Sequence, residues 1–131
     1  MNLKNFIICG LVAGVADFLL GWLTYGILFK DLFDTGHEPD MRYIILGCLA
    51  IGFLYSLLFT KSGISSVSAG VMTGALLGFI YSVASDSFMR ASMPMDKWIL
   101  IADVAIMTVT GAIIGALTAT VNGKLSTPKA A

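Results

Sequence analysis

Three aspartates, Asp17, Asp86 and Asp103, fall inside or at the edge of long apolar runs, and no lysine or arginine lies deep in any run to pair with them. Ionisable side chains within a membrane span mark functional sites by default, because an ionised carboxylate at mid-bilayer costs at least about 2.5 kcal/mol. Asp17 stands near the middle of the first run. At helical spacing it shares a face with Gly10, Gly14, Gly21 and Thr24, so it points into a bundle. Two states suit it there. It is neutral and hydrogen-bonded, locking helices together, or it titrates or binds a cation in a polar cavity. Asp103 follows Lys97 by six residues, roughly 9 Å of helix rise. A water-exposed cleft or a hydrogen bond to Tyr81, Ser82 or Ser85 would satisfy it. Asp86 precedes Arg90 by one turn, the favourable order for an i,i+4 ion pair.

Other chemistry is hard to assemble from these residues. Asp31, Asp34, His37, Glu38 and Asp40 crowd one short polar segment, but one histidine among scattered acids is no recognised ligand spacing. They read as a solvated acidic surface, and no metal or other cofactor is expected. A single histidine in that segment also gives no nucleophile–base set, so no catalytic residue is assigned and enzymatic activity is not expected. Cys9 and Cys48 lie in successive apolar runs near opposite membrane faces, too far apart for a disulfide. Both read as free packing residues.

The elements that position the acids follow from composition. The chain has 131 residues, 57% hydrophobic and 12% charged, outside the range of ordinary soluble domains. Four spans can be drawn, roughly 5–29, 42–60, 65–89 and 97–121, each close to the ~20 residues a membrane helix needs. The fold class is therefore all-α: a polytopic membrane protein, a four-helix transmembrane bundle in one domain over residues 1–131. The first span runs on past the small residues Gly14, Val15 and Ala16, so it reads as an uncleaved helix rather than a signal peptide. The break 30–41 is turn chemistry, the break 61–64 a tight helix turn, and Pro94 suits the start of the fourth helix. The tail 122–131 reads as a polar, mobile end. Eight basic and eight acidic residues cancel, leaving no electrostatic footprint for nucleic acid.

Helix packing in lipid favours small residues that let backbones approach. Gly10, Gly14 and Gly21 form one such stripe, Gly70, Gly74 and Gly78 a second, and Gly111 and Gly115 a third. Three stripes exceed what one small bundle must bury, which predicts a homo-oligomer or a complex with another membrane protein. Trp22, Tyr43 and Trp98 suit interfacial belts. Lys4, Lys61, Lys124 and Lys129 fall on one membrane face and Lys30, Arg42, Arg90 and Lys97 on the other, a tie. The second group is interleaved with the loop acids, so both termini are placed in the cytoplasm.

The chain also carries an internal repeat. Residues 39–51 align without gaps on 94–106, matching Pro39 with Pro94, Arg42 with Lys97 and Tyr43 with Trp98. A one-residue shift pairs Gly14 with Gly70 and Tyr25 with Tyr81. Two tandem helical hairpins follow, related by an axis along the membrane normal.

The segment Gly21-Trp22-Leu23-Thr24-Tyr25-Gly26-Ile27-Leu28-Phe29, with Asp103 early and Gly111-Ala112-Ile113-Ile114-Gly115 late in the last span, resembles an uncharacterised family of small bacterial four-helix membrane proteins, a domain of unknown function. That likeness implies a bacterial inner-membrane protein and no substrate. Two functional readings stand. The first is a structural or accessory oligomerising membrane protein with the acids as helix glue. The second is a minimal proton- or cation-conducting channel or transporter using the intramembrane aspartates.

Overall fold

The computed structural model describes residues 1–126, which form four helices long and apolar enough to cross a membrane. Helix α1 is Leu3–Leu23 and widens without a break into a π-helical turn, Thr24–Leu28; α2 is Met41–Ser62, α3 Val67–Ser92 and α4 Lys97–Ser126. Starts are set by side chains that occupy the free N–H groups of a first turn. Asn2 accepts from the Lys4 amide, Asp40 from Arg42, Ser66 from Ala69 and Asp96 from Trp98. Helix α2 stops at Gly63, whose φ of 68° is the left-handed conformation that closes a helix end. The residue following the cap Asp40 by two is Arg42, whose guanidinium also bonds the Asp40 carboxyl and holds it below the usual carboxylate range. This pair is the ion pair found among the described residues.

Two hairpins, α1 with α2 and α3 with α4, are each welded by glycine. A Cβ on Gly52 would strike the Gly14 backbone nitrogen and the Gly10 carbonyl. Likewise a Cβ on Gly74 would strike the Gly111 carbonyl, one on Gly115 the Gly70 carbonyl, and one on Gly78 the Met107 carbonyl. Such approach gathers dispersion and Cα–H···O contacts that apolar lipid cannot outcompete. The hairpins then meet chiefly along α1 and α4, with α2 touching α4 more lightly. Tyr55 reaches from α2 to donate to the Gly74 carbonyl on α3 at 3.0 Å. The core is small: Ala13, Tyr55, Phe59, Ile114 and Ala119 are buried together. Large apolar side chains such as Leu11, Leu46, Ile80 and Val109 cover the outside, the inverse of a water-soluble bundle.

Three expectations need correction. Gly21 is no packing glycine, since a Cβ there would meet nothing within 4 Å. The polar stretch after Val121 remains helical through Ser126, because the Asn122 amide is buried and bonded to the carbonyls of Phe59 and Ile64; residues 127–131 lie outside the described residues. The repeat is also looser than its alignment. Gly14 meets Gly52, but Gly70 meets Gly115, about seven residues or two turns beyond the position the shifted repeat assigns. The short turn between Ser92 and Lys97 draws α3 and α4 together near their ends, whereas the longer 29–40 segment leaves α1 and α2 another register.

Candidate functional site

The three aspartates come from α1, α3 and α4, and the structure brings two of them, Asp86 and Asp103, to a residue that the pattern of acids does not reveal. Tyr25 sits in the π-helical turn, and its hydroxyl donates to the carboxylate of Asp103. A π turn carries one extra residue per turn and so redirects the side chains that follow it; such turns concentrate at functional positions. Thr24 helps to hold the turn open, its hydroxyl donating back to the Leu20 carbonyl at 2.8 Å. Gly26 lets the Trp22 indole lie across the same turn, where a Cβ would come within 3.0 Å of the ring.

Asp86 reaches the same point from α3. Its carboxyl is within hydrogen-bonding reach of the Asp103 carboxyl, and the residue is only 7% exposed. Its Oδ2 is buried and lacks a donor from the protein. This overturns the expected ion pair: Arg90 is exposed, and no salt bridge joins it to Asp86. Nor do the expected partners of Asp103 serve it. Ser82 and Ser85 donate back to carbonyls of their own helix, and Tyr81 turns outward, 47% exposed. Both carboxyls lie about six residues from the α3–α4 turn, roughly 9 Å below that membrane face.

Asp17 lies about 12 Å deeper along α1 than Tyr25. It is partly buried, and the Cys48 thiol of α2 hydrogen-bonds its carboxyl. Tyr55 and Tyr25 are both within its electrostatic range. Cys48, expected to be a packing residue, is thus also a polar partner, while Cys9 is wholly buried; both are free thiols. Among the described residues no group of three or more His, Cys, Asp or Glu is arranged to hold a metal ion.

A cavity lies elsewhere. It is an apolar cleft of about 220 Å³ between α2 and the second hairpin, bounded by Leu54, Tyr55, Leu77, Tyr81, Thr110 and Ile114. No aspartate lines it.

Comparison with family models, with curated proteins and with solved structures finds no match. The likeness read in Gly21–Phe29 and the last span gains no support from them.

Proposed function

We propose that this chain is a proton-handling membrane protein of the channel or transporter class, with the Asp86–Asp103 pair as its proton-binding site and Asp17 as a deeper station. The observation that carries this reading is the buried Asp86 carboxyl, whose Oδ2 has no donor and which stands against a second carboxyl, that of Asp103. Two ionised carboxylates in contact repel, and a hydrogen bond between them requires one proton. Tyr25 donates to Asp103, so Asp103 is the better-supported anion and Asp86 the natural holder of that proton. Uptake and release then change the charge of the pair by one without bond-breaking elsewhere. A proton suits this site better than a metal cation, since among the described residues no third His, Cys, Asp or Glu joins the two carboxyls in a metal-holding group.

The other reading, an accessory protein that binds its own copies or another membrane protein through its glycine faces, loses its main support. Those faces are occupied within the chain, α1 against α2 and α3 against α4. For placement, a bacterial inner membrane with both termini in the cytoplasm fits the acid-free lysines Lys4, Lys61, Lys124 and Lys129.

Reconstitution into liposomes holding a pH-sensitive dye tests the proposal. The parent should dissipate an imposed pH gradient under a clamped potential, and Asp86→Asn and Asp103→Asn should each reduce the rate at least tenfold while remaining folded. A parent no faster than empty liposomes, or Asn variants as fast as the parent, would sink it.

A further inference from the structure

The segment joining the first two spans is almost wholly solvent-facing. From Gly26 to Gly47, Phe33 alone is not exposed. Its ring meets Tyr25 edge-on, with centroids 4.8 Å apart and planes at 73°, the T-shaped arrangement aromatic pairs favour. The backbone brings it there by continuing to turn past the π segment: the amides of Leu32 and Phe33 both donate to the Phe29 carbonyl, at 3.1 and 3.2 Å. Tyr25 therefore has two engagements. Its hydroxyl holds Asp103, with Asp86 and Asp17 the other charged groups in range, and its ring carries the half-buried Phe33 of the loop.

We infer that Tyr25 and Phe33 form an aromatic gate between loop-side water and the Asp86–Asp103 pair. This rests on the reading of that pair as a proton site. The loop face is the near one for both carboxyls, roughly 9 Å away against most of the bilayer on the other side. Asp103 is half-buried there, and an apolar ring seated on the tyrosine narrows that short approach, so that Phe33 leaving opens it further to loop-side water. Phe33 itself touches neither carboxyl by any polar group; it acts through Tyr25 and is a positioning residue. The acidic residues flanking it, Asp31 and Asp34, are exposed on the water side of the gate.

Infrared spectroscopy of the parent in lipid, on transfer from H₂O to D₂O, separates the two claims. A protonated carboxyl gives a C=O stretching band that shifts when its proton exchanges. The parent should show that band, lost in Asp86→Asn, with slow exchange. Phe33→Ala should keep the band's amplitude and exchange about tenfold faster. Tyr25→Phe, which retains the ring, should change the band position without comparable acceleration. Absence of the band in the parent would overturn the proton site. A normal band whose exchange is equally fast in the parent and in Phe33→Ala would overturn the gate alone. If Phe33→Ala fails to fold, seen in the amide band of the same spectra, Phe33→Leu must show a smaller acceleration in the same direction; unchanged exchange there also overturns the gate.

Discussion

The Tyr25 hydroxyl and the Asp103 carboxylate are 78 residues apart in the chain and share one hydrogen bond, which fastens the end of the first span to the fourth. It is the polar contact that joins the two hairpins on the side where the acids lie. Removing the donor leaves the Asp103 carboxylate with the Asp86 carboxyl as its remaining polar neighbour. Tyr25→Phe should therefore destabilise the protein by about 1–3 kcal/mol, the range for leaving a hydrogen-bonded charged group without its partner. Denaturant titration in detergent micelles checks this, with Tyr81→Phe as the control. Tyr81 faces outward, and its variant should stay within about 0.5 kcal/mol of the parent.

Arg90 supplies a second control. Because Asp86 turns towards Asp103, Arg90→Ala should change stability by no more than about 0.5 kcal/mol, as for an exposed residue away from any special contact. A loss well above that, abolished in the Asp86→Asn background, would show that the arginine and the aspartate are paired after all.

The glycines divide into those that must stay glycine and one that need not. Gly74→Ala drives a methyl into the Gly111 carbonyl and should cost at least ~1–3 kcal/mol, the usual range for overpacking. Gly21→Ala fills open space in a helix and should be neutral or stabilising by up to about 1 kcal/mol. Thermal melts of the two variants should move in opposite directions or, at the least, differ clearly.

At the head of α2, Asp40 is exposed and its carboxyl is held below the usual range by Arg42 and by the Arg42 amide. A depressed folded value means that the contribution is fully present above the unfolded value, near 3.9, and fades as the pH falls through the lower folded one. Asp40→Asn keeps a capping oxygen but no charge. The melting difference between parent and variant should be constant from neutrality down to about pH 4 and then close; a difference that persists or widens in acid contradicts the pairing.

Much of this architecture is legible before any coordinates. Long apolar runs separated by short polar breaks define four spans, and the observed helices depart from them by a few residues where local chemistry decides. Ser66 starts α3 two residues later than hydrophobicity alone suggests, and Asp40 starts α2 one residue earlier. The packing glycines of α1, α3 and α4 were also legible by spacing, except Gly21, whose spacing fits the stripe but whose face meets no helix; Gly52, which meets Gly10 and Gly14, stands in no stripe and was not. What could not be read is the meeting of Tyr25 with Asp103. A regular 3.6-residue period assigns each side chain a direction, and the π turn at Thr24–Leu28 breaks that period just where the tyrosine lies. The same limit hid the orientation of Asp86: spacing offers Arg90 as a neighbour on its own helix, and only the packing of α3 on α4 presents Asp103 instead.

Asn122 gives the fold an order of events. Its amide donates to the carbonyls of Phe59 and Ile64, which belong to the end of α2 and the turn that follows, so a residue from the last helix completes a turn made much earlier in synthesis. Until α4 arrives, the Phe59 carbonyl has only the amides of Gly63 and Ile64 at its own helix end, the Ile64 carbonyl lacks the Asn122 donor, and the first hairpin's far end is unfinished. A nascent chain halted after α3 would hold its helices in lipid without this clasp, and a chain clipped before Asn122 would be a better substrate for membrane quality control than its intact apolar spans suggest.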